Sequence, residues 1–368
     1  MQKELNYEEL LKTILKHKNI FLISGRSLKK TVFFKKLGDI SSVNFFRFSN
    51  FTENPKLPDV LNGLDLYRRS QATLILAVGG GTAIDIAKLI KFYSDSELKF
   101  EKDFPLKNNI CSSQCKLIAV PTTFGTGSEA THFAVLYVNG EKHSISAKAI
   151  LPNFYLLDSE LGDSLPQKVK ASTCLDALCQ GIESFWSIEG NEESRDYACT
   201  AIKKIIKNIE VYLNSSLKTP SQNLEIAYAS NLAGKAINIS KTTASHALSY
   251  TLTSKFGVPH GHAVALCIRK MFSVMENFSS RVEIKKILKN TYKMLEVKDA
   301  NEAEDLFNRL MILGGLETDL RKLGIVSSNN IELIVDNVNV ERLTNHPVKL
   351  KRSDLMSLLK TKNEKFYE

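Results

Sequence analysis

The 368-residue sequence lacks any unbroken apolar run of the roughly 18 residues that a membrane helix needs. Its first stretch, MQKELNYEELLKTILKHKN, is charged throughout where a signal peptide would be apolar. A membrane is therefore not an expected partner, and a soluble, cytoplasmic chain is expected. Cysteine is scarce, with six residues (Cys111, Cys115, Cys174, Cys179, Cys199 and Cys267) whose spacing gives neither a CxxC zinc pair nor a disulfide framework. Free thiols follow. Internal repeats and low-complexity linkers are missing too. The formal net charge is +9, but the Lys and Arg residues are scattered along helical segments without interleaved aromatics, which argues against nucleic acid as a partner. A small anionic ligand or a solvated surface accounts for the charge as well.

What is present is apolar material enough, 43% of residues, to bury the cores of two domains of ordinary size. From residue 19 to about 160, short runs rich in β-branched and aromatic residues (NIFLIS, VNFFRFS, TLILAV, KLIAVP) alternate with helical patterns (PDVLNGLDLYRRSQ, AIDIAKLIKFYSD). That is the βαβ rhythm of a parallel sheet with helices on its faces. Beyond Leu165-Pro166 the strand-like runs stop and almost everything reads as helix. The expectation is an α/β domain over 1–165 and an all-α domain over 166–368.

TLILAVGGGTAIDIAK reads as a strand, a triple glycine and a helix. Gly79, Gly80 and Gly81 let the backbone turn sharply and approach a ligand without Cβ interference, and the helix offers free N–H groups to a phosphate. The spacing is not the GxGxxG fingerprint, and Thr82 with Asp85 also fits a plain cap with a capping-box-like partner. Further on, PTTFGTGSE again follows a strand directly and brings Thr122, Thr123, Thr126 and Ser128 together. The two loops in combination favour a nucleotide.

In CLDALCQGIESFW the apolar Leu175, Leu178, Ile182 and Phe185 form one helical stripe, while Asp176, Gln180 and Glu183 fall on another at i, i+4 and i+7. Asp176 and Gln180 can therefore point at one object. ASHALSYTLTSKFGVPHGHAVAL then offers His246, a break at Gly257 and Pro259, and His260 and His262 at the next helix start. Three histidines so close, following a carboxylate helix, suggest a metal.

On GGGTAID and PTTFGTGSE the sequence resembles the iron-containing (group III) alcohol dehydrogenase family, whose members carry GGGS-x-x-D and PTT-x-GTGSE; Thr82 stands here for the serine. The resemblance implies a Rossmann-like dinucleotide-binding α/β domain followed by an all-α metal-binding domain, the architecture shared with dehydroquinate synthase. It assigns the pyrophosphate to the first loop (Gly80, Gly81, Thr82, Asp85) and the rest of the nicotinamide dinucleotide to Thr122, Thr123, Thr126 and Ser128. Gly25 stands where NAD-preferring relatives carry an aspartate that would repel a 2′-phosphate. With Arg26, Lys29 and Lys30 beside it, NADPH is favoured over NADH.

The family's metal ligands map onto Asp176, His246 and His260, with Gln180 where a histidine is usual. Such a site suits Fe2+ or Zn2+ held less tightly than by three imidazoles. It implies an enzyme in which the metal polarises an aldehyde oxygen for hydride transfer. Tyr250 replaces the histidine that many relatives carry four residues beyond the first metal histidine, so Tyr250 or His262 is the expected proton relay. Within the family, DALCQGIESFWS, AINISKTTASHALSY and PHGHAVAL look like the phosphonoacetaldehyde reductase branch, which reduces phosphonoacetaldehyde to 2-hydroxyethylphosphonate. Lys241, with Thr242 and Thr243, and secondarily Arg195, would then hold the anionic phosphonate in the catalytic cavity. The alternatives are a generic short-chain aldehyde or alcohol dehydrogenase, a dehydroquinate-synthase-like sugar phosphate cyclase, or a non-catalytic descendant. A homodimer is the implied assembly.

Overall fold

The computed structural model describes residues 2–95, 114–163, 165–214 and 220–359. It comprises two compact units, Met1–Ser164 and Leu165–Glu368, against an expected boundary one residue later. Of the six cysteines, Cys111 lies outside the described residues; the other five are free thiols. No helix among the described residues is long and apolar enough to cross a membrane.

The first unit holds strands β1 (Lys3–Glu4), β2 (Asn19–Ser24), β3 (Asn44–Phe48), β4 (Leu74–Gly79), β5 (Lys116–Pro121), β6 (Phe133–Val138), β7 (Glu141–Ser146) and β8 (Phe154–Tyr155). Its helices are α1 (Tyr7–Ile14), α2 (Val32–Gly38), α3 (Leu57–Ser70) and α4 (Gly81–Tyr93). Six strands form one parallel sheet in the order β1-β8-β5-β4-β2-β3. Strand alternation sends Phe21, Ile23, Ile75, Ala77, Leu117 and Ala119 into a core with α3 and α4. Their neighbours Ile20, Leu22, Leu74, Leu76, Ile118 and Val120 enter a second core with α1 and α2. Both faces are covered, so β4 is buried along its whole length and reads as an unbroken apolar run. β6 and β7 stand apart as an antiparallel hairpin. Its turn residues Asn139 and Gly140 both take positive φ, 51° and 83°, as a tight two-residue hairpin turn requires.

In the second unit every regular element among the described residues is helical: α5 (Gln167–Trp186), α6 (Glu192–Leu213), α7 (Pro220–Ser240), α8 (Ala244–Phe256), α9 (His260–Glu276), α10 (Val282–Leu295), α11 (Ala300–Leu313), α12 (Ser328–Asp336), α13 (Val340–Thr344) and α14 (Arg352–Leu359), with a short 3-10 turn at Leu320–Leu323. α5 is buried on nearly every side, packed by α6, α7 and α9. A helix so enclosed must bury its polar stripe as well as its apolar one, so Asp176, Gln180 and Glu183 end up inside. α8 stops at Gly257, which takes a left-handed cap at φ 68°, and Pro259 occupies the N-cap of α9. The new helix therefore starts on His260. Gly261 sits against α5 so closely that a Cβ there would lie 2.0 Å from the Ser172 carbonyl oxygen and 2.7 Å from Asp176 Cβ.

Candidate cation and nucleotide sites

In the first unit the glycine loop leads from β4 into α4 with Gly80 at the N-cap and no side chain capping the helix. Thr82 is not the cap; its Oγ1 accepts the Asn54 N–H at 3.2 Å. The Ala83 N–H bonds the Gly80 carbonyl at 3.0 Å, which leaves the Gly81 and Thr82 N–H groups of the first turn to a ligand, the arrangement that favours an anion. The hydroxyl loop nests against them. A Cβ on Gly80 would meet Thr123 Oγ1 at 3.1 Å, and one on Gly81 would meet Thr126 Cγ2 at 2.9 Å. Thr122, Thr123 and Thr126 are half-buried at this surface.

Asp85 and Ser128, expected to touch the cofactor, are instead buried and bonded to each other. Asp85 Oδ2 also accepts the Val135 N–H at 2.9 Å. The sequence reading missed their companion Lys88, whose fully buried Nζ donates to Ser128 Oγ (3.0 Å), Thr131 Oγ1 (2.9 Å) and the Phe133 carbonyl (2.8 Å) and lies 3.7 Å from Asp85 Oδ1. This correction has a simple cause. Asp85 and Lys88, three apart on α4, share the helix face that packs on the loop, so they fasten the loop from behind.

Burial pushes Lys88 down to about 8 from an ordinary 10.5, against the opposing pull of Asp85 and Glu129. Below the lower value both folded and unfolded chains carry the proton. Between the two values only the unfolded chain binds it, so the Lys88 contribution makes stability rise with pH from about 8 to 10.5. Denaturant titrations across that window should show a steeper rise for the wild-type chain than for Lys88→Met; identical slopes would contradict the assignment.

Gly25 ends β2 at φ −61°, ψ 161° and leads into a 3-10 turn, with Arg26 and Lys29 exposed beside it; the Lys30 side chain lies outside the described set. Arg26 reaches Asn50 Oδ1 at 3.4 Å. A second cation not anticipated from sequence is Arg47 on β3, which donates to Ser24 Oγ and the Gly25 carbonyl, both at 2.8 Å. It was hidden because parallel pairing of β2 with β3, absent from any local pattern, is what brings it there.

In the second unit, Asp176, His246 and His260 each present one ligand atom within 4.8 Å of the others. Asp176 Oδ1 and His246 Nε2 are 3.3 Å apart, and both are buried without a hydrogen-bond partner. That separation matches the edge of a tetrahedron with ligand bonds of about 2.0–2.1 Å, about 3.3–3.4 Å. Buried polar atoms are normally bonded, so a facing pair that is not fits a site for a cation. His260 Nδ1 lies 3.4 Å from Ser249 Oγ, whose proton goes to the His246 carbonyl at 2.8 Å. The hydroxyl therefore takes the Nδ1 proton and makes Nε2 the ring's acceptor. Gln180, one turn beyond Asp176, is buried on the same stripe.

Behind the cluster lies Glu183, a stripe residue to which sequence reasoning gave no role. Its Oε1 accepts Thr243 Oγ1–H at 2.8 Å and the Ser245 N–H at 2.7 Å, and its Oε2 is bonded to His246 Nδ1. Burial opposes its ionisation, but His246 outweighs that and holds the carboxyl down at about 2. Burial likewise opposes a charged His246, and Glu183 with Asp176 raises it to about 10. The pocket thus favours a positive charge between two carboxylates.

The remaining expected site residues divide. Tyr250 is at the cluster, half-buried with its ring stacked on His260 (centroids 6.1 Å apart, 28° between planes). His262 is not: its Nε2–H donates to the Glu317 carbonyl at 2.7 Å, its backbone N–H to Ser172 Oγ at 3.2 Å, and burial pushes its pKa down. Two residues apart on a helix, His260 and His262 project about 200° from each other, so they cannot both face one site. Lys241 is also corrected. It takes a left-handed φ of 59°, and its ammonium pairs with Glu341 Oε1 at 3.0 Å and Glu189 Oε2 at 3.3 Å, compensated already. Thr242 is buried with its carbonyl held by Asn345, Thr243 serves Glu183, and Arg195 is exposed in the first turn of α6 among acidic neighbours.

A parallel sheet with a glycine loop, followed by a helical unit carrying an Asp/His/His cluster, is the layout expected from the resemblance to iron-containing alcohol dehydrogenases. The sequence profile of iron-containing alcohol dehydrogenase matches residues 3–159, and that of the C-terminal part of the Fe-containing alcohol dehydrogenase family matches residues 170–363. The chain belongs to the iron-containing alcohol dehydrogenase family. It is 30% identical over 231 residues to the phosphonoacetaldehyde reductase of Streptomyces viridochromogenes, a match that covers 60% of this chain and 58% of that protein. It is 27% identical over 365 residues to the sulfoacetaldehyde reductase of Bilophila wadsworthia, covering 95% and 93%. The sulfoacetaldehyde reductase of Bifidobacterium kashiwanohense, solved in complex with NAD+, shares the fold with a TM-score of 0.86 at 24% identity, covering 98% of this chain and 96% of that one.

Proposed function

We propose that this chain is a metal-dependent reductase that converts phosphonoacetaldehyde to 2-hydroxyethylphosphonate with NADPH. The observation that carries the reading is the buried, facing pair Asp176 Oδ1 and His246 Nε2. Asp176, His246 and His260, with Gln180 as a fourth donor, would hold Fe2+ or Zn2+; a mixed set of imidazole, carboxylate and amide suits either. When bound, the cation supplies Lewis-acid polarisation of the aldehyde oxygen and the nicotinamide supplies hydride. The chain's own part is placement. The uncapped amides of α4 hold the pyrophosphate, and the hydroxyls of Thr122, Thr123 and Thr126 face the rest of the dinucleotide. Tyr250 Oη passes a proton to the alkoxide oxygen, which completes the alcohol. Assembly as a homodimer belongs to the same reading.

Likeness to a phosphonoacetaldehyde reductase supports the substrate. A second reading, sulfoacetaldehyde, is favoured by a likeness that runs along 95% of the chain. Both are two-carbon aldehydes with a tetrahedral anionic head. The test is NADPH consumption with phosphonoacetaldehyde, sulfoacetaldehyde and propionaldehyde, on protein stripped of metal and reloaded with Fe2+ or Zn2+. A kcat/KM about tenfold higher for the phosphonate, about 1.4 kcal/mol of discrimination, would support the first reading. A sulfonate preference would install the second, and equal turnover of all three would leave a generic short-chain dehydrogenase.

The NADPH preference rests on Gly25 and the cations around it. Gly25 has an ordinary backbone, and a Cβ there would meet only Ser27 Oγ, at 3.8 Å. Gly25→Asp should therefore fold normally and lower the NADPH-to-NADH ratio of kcat/KM by about tenfold or more, the loss of one charge-assisted contact and the gain of a repulsion. An unchanged ratio would place the 2′-phosphate elsewhere.

A further inference from the structure

We propose that Glu183 is the positioning residue of the cation site, fixing both the orientation and the tautomer of His246; this rests on the reading that Asp176, His246 and His260 hold a divalent cation. The carboxylate is fully buried, and every contact described for it points one way. Thr243 Oγ1–H at 2.8 Å and the Ser245 N–H at 2.7 Å converge on Oε1, with the His246 N–H at 3.4 Å. Those donors come from the first turn of α8 and the residue before it, so α8 starts on Glu183. Oε2 is then turned to His246 Nδ1. A carboxylate can only accept, so it keeps the Nδ1 proton and leaves Nε2, directed at Asp176 Oδ1 3.3 Å away, as the nitrogen that ligates once a cation displaces its proton. Thr243 is itself steadied, since its hydroxyl oxygen lies 3.3 Å from His346 Nδ1.

This geometry predicts what an isosteric amide would do. In Glu183→Gln the amide oxygen would stay with Thr243 and Ser245, which need an acceptor, and the NH2 would face His246 Nδ1. Imidazole would then carry its proton on Nε2, the form that cannot ligate. An outer carboxylate of this kind is typically worth about 10–100-fold in metal affinity.

The experiment titrates Co2+ into metal-free full-length protein, reading affinity by calorimetry and ligand geometry by the visible bands of the bound ion. Glu183→Gln should bind Co2+ about 10–100-fold more weakly with shifted bands, while its circular dichroism in chelator matches the wild type. Thr243→Val, which loosens Glu183 without removing its charge, should weaken binding about fivefold, and Thr243→Ser should restore it. Unchanged affinity and bands in Glu183→Gln would overturn the positioning role while leaving the cation site intact. If Glu183→Gln does not fold, an unchanged Thr243→Val decides against the role in the same way. A wild-type chain that takes up no Co2+ would overturn the cation site itself.

Discussion

Asp176→Asn is expected to abolish tight cation binding and to lower the proposed reductase activity by about a thousandfold. Among the four proposed donors, Asp176 alone is anionic; Gln180, His246 and His260 are neutral when they ligate. Removing that charge leaves two imidazoles and two amides, a set with little hold on a hydrated divalent ion. Lewis-acid polarisation is worth several kcal/mol, and about 1.4 kcal/mol is tenfold in rate, which gives the thousandfold. The substitution keeps the shape of a side chain that is 4% exposed. Melting in the presence of chelator should therefore stay close to that of the wild type. Calorimetric titration with Zn2+ decides the matter: an affinity equal to the wild type would remove Asp176 from the ligand set.

The second large effect is expected from Gly261→Ala, which touches no ligand atom. The added methyl would lie 2.0 Å from the Ser172 carbonyl oxygen and 2.7 Å from Asp176 Cβ, so the start of α9 has to lift from α5. Overpacking of this kind costs about 1–3 kcal/mol, or more where backbone is the obstacle. In a unit of this size that lowers Tm by roughly 2–4 °C per kcal/mol. Because His260 is the preceding residue, the same lift separates it from Asp176, and cation affinity should fall with stability. Gly257→Ala is the control. Its φ of 68° makes alanine strained, but nothing lies within 4 Å of the new methyl. It should cost about 1–2 kcal/mol of stability and leave cation affinity unchanged. Parallel losses of affinity in both variants would show that general destabilisation, and not the docking of α9, sets the site.

What could be read without coordinates was whatever local pattern encodes. The strand runs NIFLIS, TLILAV and KLIAVP appear as β2, β4 and β5, and the Gly257/Pro259 break ends α8 and starts α9 where the residue types place it. The Asn139-Gly140 turn carried a hairpin signal that went unread, and β6 and β7 were missed with it. The cluster Asp176, His246 and His260 was reachable because the family resemblance picks those members out of the polar stripe of one helix and the three nearby histidines. Lys241 was expected at the substrate because it stands five residues before His246. Its left-handed backbone and the carboxylates of Glu189 and Glu341 are tertiary facts that no local window contains. Glu183 was visible as a stripe residue, but its purpose depends on where α8 begins, sixty residues later.

The nesting of Gly80 on Thr123 and Gly81 on Thr126 also bears on how the family can diversify. Two loops that follow different strands share one surface, so neither can lengthen or change bulk alone; a change in either demands a matching change in its partner. Gly25 is under no such constraint: its backbone is unstrained and a Cβ there would meet only Ser27 Oγ, at 3.8 Å. On the proposed reading, exchange of one dinucleotide for another is thus the short evolutionary step available to this unit, while abandoning dinucleotides would require both loops to be rebuilt together.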